Sequence, residues 1–237
     1  MDFKAILVVG VPTTFIVFGA GYSTADGPAV SEAHPLVGAS ISATGASGTD
    51  VQAFLAGGGY YTPVGESFGL GLHVSAGLGV DDGDAKEVVA GGGILFWRDP
   101  NSGYLGVEAS GLHLGSFDRW GGGLVGGVYF DDWDLGGSGG FEGGDGEDGG
   151  VFGINAGWYQ SEQLRFGVEG TVGTEDLYGG AASIQWQPFD PTSNWTLGVH
   201  GGGGSFDGSH FYSAGIGVLY HFAAPKSLKR QLREDRL

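Results

Sequence analysis

The chain has 237 residues, 52 of them glycine, with no cysteine and 27 acidic against 10 basic side chains, for a formal charge of −17. No cysteine means no disulfide scaffold and no thiolate metal site, near-average hydropathy excludes a polytopic helical membrane protein, and glycine without a strict three-residue period excludes collagen. Between residues 35 and 222 there are 22 acidic and 4 basic residues (Lys86, Arg98, Arg119, Arg165), so nucleic acid is not an expected partner, because phosphate binding needs clustered cations.

Taken in chain order, the first element is a leader. Residues 5 to 21 are almost wholly apolar apart from Thr13 and Thr14, and Ser23-Thr24-Ala25 supplies the small residues a signal peptidase reads. Cleavage after Ala25 is expected, with residues 1–25 as signal peptide and 26–34 as a short linker. A retained membrane helix is the competing reading, weakened by Pro12 and the glycines.

From residue 35 onward the chain alternates bulky apolar with small or polar residues. The clearest run is Phe68-Gly69-Leu70-Gly71-Leu72-His73-Val74-Ser75-Ala76-Gly77-Leu78-Gly79-Val80. A strand has a side-chain period of two, so each such run has one greasy and one small, wet face. Twelve strands are predicted, near 35–46, 51–61, 67–80, 86–97, 104–115, 119–130, 133–142, 150–159, 163–174, 177–188, 195–204 and 209–222. An even count returns the chain to its starting side, and about ten residues per strand suits a tilted crossing of a bilayer. The predicted fold is all-β: a transmembrane antiparallel up-and-down β-barrel of about 12 strands, occupying 35–222 as one domain. Glycine runs at 91–93, 121–123 and 201–204 blur parity, so the count is open by two.

The turns sort into two kinds. Those after even-numbered strands, such as Thr62-Pro63-Val64-Gly65-Glu66 and Asp190-Pro191-Thr192-Ser193-Asn194, have aromatic neighbours, which at headgroup level form a girdle: Tyr60, Tyr61, Trp97, Tyr104, Phe130, Trp133, Trp158, Phe166, Trp186, Trp195, Tyr220 and Phe222. Turns after odd-numbered strands, such as Gly48-Thr49-Asp50, Ser116-Phe117-Asp118 and Ser205-Phe206-Asp207-Gly208, are short, acidic and poor in rings, and are assigned to the outer rim.

With these features the chain resembles the Gram-negative outer-membrane β-barrel (porin-like) proteins in general, over residues 35–222 plus the leader. The last strand, residues 211–222 (FYSAGIGVLYHF), alternates Tyr212, Ala214, Ile216, Val218, Tyr220 and Phe222 toward a terminal aromatic, as the class's assembly signal does. The resemblance implies a bacterial outer-membrane location, outer-membrane lipid as surroundings and recognition of the last strand by the assembly machinery. It departs from the class in continuing past Phe222.

With the bulky parity toward lipid, the opposite parity lines the interior. Pore-lining candidates are His73, Glu108, Asn155, Arg165, Glu169, Gln185 and His200, with glycine between them. Such an interior is expected to leave a narrow water-filled passage. Asp134, Glu142, Glu108 and Glu169 against Arg165 would favour cations. The expected function is therefore a narrow passive diffusion channel for small solutes or cations, without cofactor or enzymatic activity. A non-conducting structural or surface-interaction barrel stays open, since Arg165 and Glu169 share a face and could knit the wall shut. So does an interfacial lipid hydrolase, whose candidates are His113 with Ser116, and His210 with Ser209 and Asp207.

Other motifs are weaker. Gly136-Gly137-Ser138-Gly139-Gly140 formally matches a nucleophile elbow, but no α/β pattern surrounds it. Asp81, Asp82 and Asp84, and Asp145, Glu147 and Asp148, are oxygen-rich turns without the spacing of a calcium loop, and the six histidines do not group as metal ligands. The final stretch, 223–237, is a basic periplasmic tail with Leu228 and Leu232 four apart among Lys226, Lys229 and Arg230, suited to anionic lipid or cell-wall polymer.

Overall fold

In the computed structural model the alternation closes into a ring of twelve antiparallel strands. The structure describes residues 32–46, 49–81, 84–99, 102–145, 148–174, 176–190, 193–222 and 226–229. The predicted leader (1–25) and the linker up to residue 31 lie outside them. The strands are β1 (His34–Ala46), β2 (Thr49–Val64), β3 (Phe68–Asp81), β4 (Asp84–Asp99), β5 (Gly103–Leu114), β6 (Phe117–Tyr129), β7 (Trp133–Gly144), β8 (Gly149–Ser161), β9 (Leu164–Gly173), β10 (Tyr178–Trp186), β11 (Trp195–Phe206) and β12 (Ser209–His221). Each pairs with its sequence neighbours, and β1 pairs with β12 from Leu36↔His221 to Ala46↔Phe211, so the sheet has no free edge.

Parity holds through the glycine runs. Gly91, Gly92 and Gly93 keep continuous register with β3 and β5, and the described ladders shift once, between Tyr159 and Ser161. Phe117 and Phe206, read from sequence as turn residues, are instead the first residue of β6 and the last of β11.

The outward face is greasy and open. Val74, Leu105, Leu124, Ile154 and Val168 are each 59% exposed. Burying such a side chain is worth about 1.5–3 kcal/mol, so leaving these five in water would cost roughly 10 kcal/mol, as much as a whole domain's stability. That face belongs in acyl chains. Among the described residues no helix is long and apolar enough to cross a membrane, so the crossing is made by strands, whose backbone groups the closed ring satisfies.

Around the rim that carries both described ends of the barrel (the terminal rim), Tyr60, Trp97, Phe130, Trp133, Trp158, Trp186, Trp195 and Phe222 stand outward and exposed. Trp133, Trp158 and Phe166 stack in series, and Trp195, Tyr220 and Phe222 pack edge to face. Tyr61 and Tyr104 do not belong to this girdle. They sit on the inward parity of β2 and β5, 6% and 4% exposed, because adjacent residues of a strand face opposite sides: Tyr60 meets lipid, so Tyr61 enters the barrel.

Candidate functional site: the lumen and its two mouths

Three zones follow one another along the inward parity. At the rim opposite the ends (the far rim), Val51, Leu55, Val88, Leu114 and Phe117 pack into an apolar cluster inside the barrel, flanked by Leu112, Leu177, Phe206 and Phe211. Sequence reading placed polar groups throughout the lumen and missed this plug. Its signal was there: Val51, Val88 and Phe117 are bulky residues on the small-residue parity, close to their turns. Beside it Arg119 donates from Nε and Nη2 to Oε2 of Glu142, at 3.2 and 3.0 Å. Glu142, expected to add negative charge to the lumen, is therefore neutralised by an arginine left out of that tally.

The middle zone is small and polar. His73, Glu108, Asn155, Glu169 and His200 lie mid-strand on the inward parity, with Ser75 and Ser183. Asn155 and Glu169 are partners across β8 and β9, and one oxygen of each is buried without a hydrogen bond. The glycines here do more than leave space. A Cβ on Gly92 would stand 2.9 Å from His73 Cε1, one on Gly71 2.5 Å from Tyr61 Cε1, and one on Gly136 2.9 Å from Tyr104 Oη; Gly157 lies likewise under Arg165 and Gly215 under His200. Long side chains lie flat across the neighbouring strand, and Tyr104 across Gly127 of β6 as far as β7, in slots where those strands have no side chain. The expectation that glycine simply empties the lumen is corrected accordingly: part of the freed volume holds rings and a guanidinium from next door.

The terminal mouth has two unlike halves. On β2–β6, Tyr61, Phe96, Tyr104, Val125 and Tyr129 form a second cluster with Leu36 and Ile94; Tyr104 stacks on Tyr129 at 5.9 Å and His34 on Tyr61 at 5.7 Å. On β7–β10 the filling is ionic. Arg165 Nε donates to Asp134 Oδ2 at 3.2 Å, with side chains 6% and 0% exposed, and Arg165 Nη1 donates to Gln185 Oε1 at 3.3 Å. Asp134 is thus spent on Arg165 and adds no free charge to the passage. Burying such a pair costs several kcal/mol per ion, offset here by two-sided hydrogen bonding and by the Tyr159 ring 5.7 Å from the guanidinium.

Residues 226–229 lie on this ionic half. Gln187 Nε2 donates to the Lys226 carbonyl at 2.7 Å, Ser227 Oγ donates to Glu162 Oε2 at 2.6 Å, and the Lys229 amide donates to the Glu162 carbonyl at 3.1 Å. Lys229 Nζ reaches Asp132 at 3.0 Å and Glu162 at 3.8 Å. Leu228 is 0% exposed against Tyr159. The tail, read as a contact for lipid or cell wall, spends these residues on the barrel's own acidic turns.

The motifs proposed for other chemistry disperse. His113 faces outward at the far rim, with Nδ1 2.6 Å from Asp118 and Nε2 3.7 Å from Glu87. Among the described residues no serine hydroxyl bonds to it or to His210. Gly136–Gly140 lies inside β7, not at a strand-to-helix turn. Asp145 and Asp148 accept backbone N–H groups of Asp118 and Gly144, and among the described residues no three ligand side chains group for a metal.

No family model matches the chain, and no curated protein does either. Solved structures do. The translocator domain of the autotransporter NalP from Neisseria meningitidis superposes with TM-score 0.61 at 11% identity, covering 90% of this chain and 94% of that one. A KdgM porin solved in complex with disordered oligogalacturonate gives 0.59 at 14% identity, covering 79% and 99%. The fold is that of a bacterial outer-membrane β-barrel. At these identities the likeness speaks for architecture, and the greasy outward face independently requires a bilayer around it.

Proposed function

We propose that this outer-membrane barrel is a narrow passive diffusion channel for small solutes with a preference for cations, its polar middle zone held between two constrictions. The observation that carries this is the placement of Glu108 and Glu169 mid-strand in a glycine-rich interior, with the nearby ion pairs already made elsewhere, Arg165 to Asp134 and Arg119 to Glu142. A barrel built only as a scaffold has no use for carboxylates there, since uncompensated buried charge costs stability. Lining a wet passage, the same groups repel anions. KdgM, a barrel of similar fold, is named a porin, which supports the reading. Folded protein in planar bilayers under a salt gradient tests the reading. Discrete conductance with a cation-selective reversal potential is expected, and the double variant Glu108→Gln/Glu169→Gln should move that potential toward zero. Silence from correctly folded protein, with or without residues 223–237, would defeat it.

A further inference from the structure

The tail contacts are specific enough to ask what they do. After β12 the chain leaves the wall at Phe222, and the described residues that follow meet, in turn, Gln187 beyond β10, Glu162 in the β8–β9 turn and Asp132 in the β6–β7 turn, which stands across the twelve-strand ring from β12. The segment therefore sweeps over one half of the terminal mouth. It is the half the tyrosine cluster leaves uncovered.

The chemistry is that of a detachable fit. Leu228 is fully buried on Tyr159, a ring that also faces the Arg165 guanidinium, so the leucine seals the ionic layer from above. The electrostatic contacts sit at the edge: Asp132 and Glu162 are 61% and 55% exposed, and Lys229 18%. Exposed pairs of this kind are each worth little and are weakened by salt. One buried leucine, two partly buried hydrogen bonds from Gln187 and Ser227, and a fringe of screened ion pairs can hold a segment in place and still let it go.

The geometry points to residues 226–229 as an intramolecular plug that closes the β7–β10 half of the terminal mouth and opens by undocking. This rests on the channel reading above. It is tested separately from that reading by chemical access. The chain has no cysteine, so Ser183→Cys, on the inward parity of β10 and deeper in the barrel than Gln185, places a single thiol in the lumen. Full-length protein in nanodiscs should react slowly with a bulky, charged maleimide, and truncation after Phe222 should speed labelling at least tenfold. Leu228→Asp in the full chain should do the same, and Lys229→Glu, set against Asp132 and Glu162, should give a smaller gain. Heat-modifiable gel mobility confirms folding of each, and the point variants carry the test if the truncated chain fails to fold. Unchanged labelling in folded Leu228→Asp overturns the plug. Faster labelling without any conductance keeps the plug and overturns the channel.

Discussion

The two mouths of the lumen are narrowed by different physics. At the far rim Val51, Val88, Leu114 and Phe117 fill the barrel by packing alone, each 2% exposed or less. At the terminal rim closure is shared between stacked tyrosines on one side and a buried Arg165–Asp134 pair beneath a docked chain segment on the other. An apolar constriction opposes ions by size and dewetting and has no part that can leave; a layer held by charge and by a removable segment can change state. The contrast puts the adjustable element at the terminal end.

The largest expected effect tests the ionic half. Asp134→Ala strands a buried guanidinium and should cost about 4 kcal/mol of stability, measured by urea titration of the reconstituted barrel, with Asp134→Asn costing less. If the alanine variant is near neutral, the Arg165 layer is not what holds the terminal mouth. Phe117→Ala at the far rim removes a packed ring and should cost about 3 kcal/mol. It should also raise single-channel conductance, because only size and wetting oppose ions there. The smallest effects sharpen the account of the wall. Gly127→Ala drives a methyl into the Tyr104 ring and the Leu135 carbonyl, and should cost about 1–2 kcal/mol. Gly215→Ala meets the end of the His200 side chain first and the Ile41 carbonyl at 3.0 Å, and because a side-chain tip yields more readily than a backbone it should cost less than about 1 kcal/mol. Equal losses at both glycines would mean that the slots are rigid throughout.

Strand number and order were legible because a two-residue period survives almost any choice of side chain, as in Leu70 through Val80 of β3. Direction within a pair of neighbouring rings was harder to read. Tyr60-Tyr61 offers an aromatic on both parities, so a girdle inferred from clustering alone takes in the inward member; applying the β3 parity across the Gly59↔His73 partnership would have turned Tyr61 inside. The far plug was missed because Val51, Leu55, Val88 and Leu114 stood in predicted strands whose inward parity was read as small and wet throughout, while Phe117 and Phe206 were credited to turns. The pairing of Arg165 with Asp134, 31 positions away, needed the three-strand geometry of β7, β8 and β9, which no local spacing encodes. The docked tail joins positions 132, 162 and 187 to 226–229 and was equally hidden.

The seam between β1 and β12 joins residues at opposite extremes of the barrel sequence, from Leu36↔His221 to Ala46↔Phe211. Contacts this distant along a chain are the slowest to form, since nearly the entire loop between them must be ordered first. Leu228 follows that final strand, and its seat is built from β8 and the turns on either side of it. That seat is complete without the β1–β12 seam, so in a barrel already stitched shut, protease cleavage beside Leu228 reports the segment lifted from its seat rather than an unfinished wall.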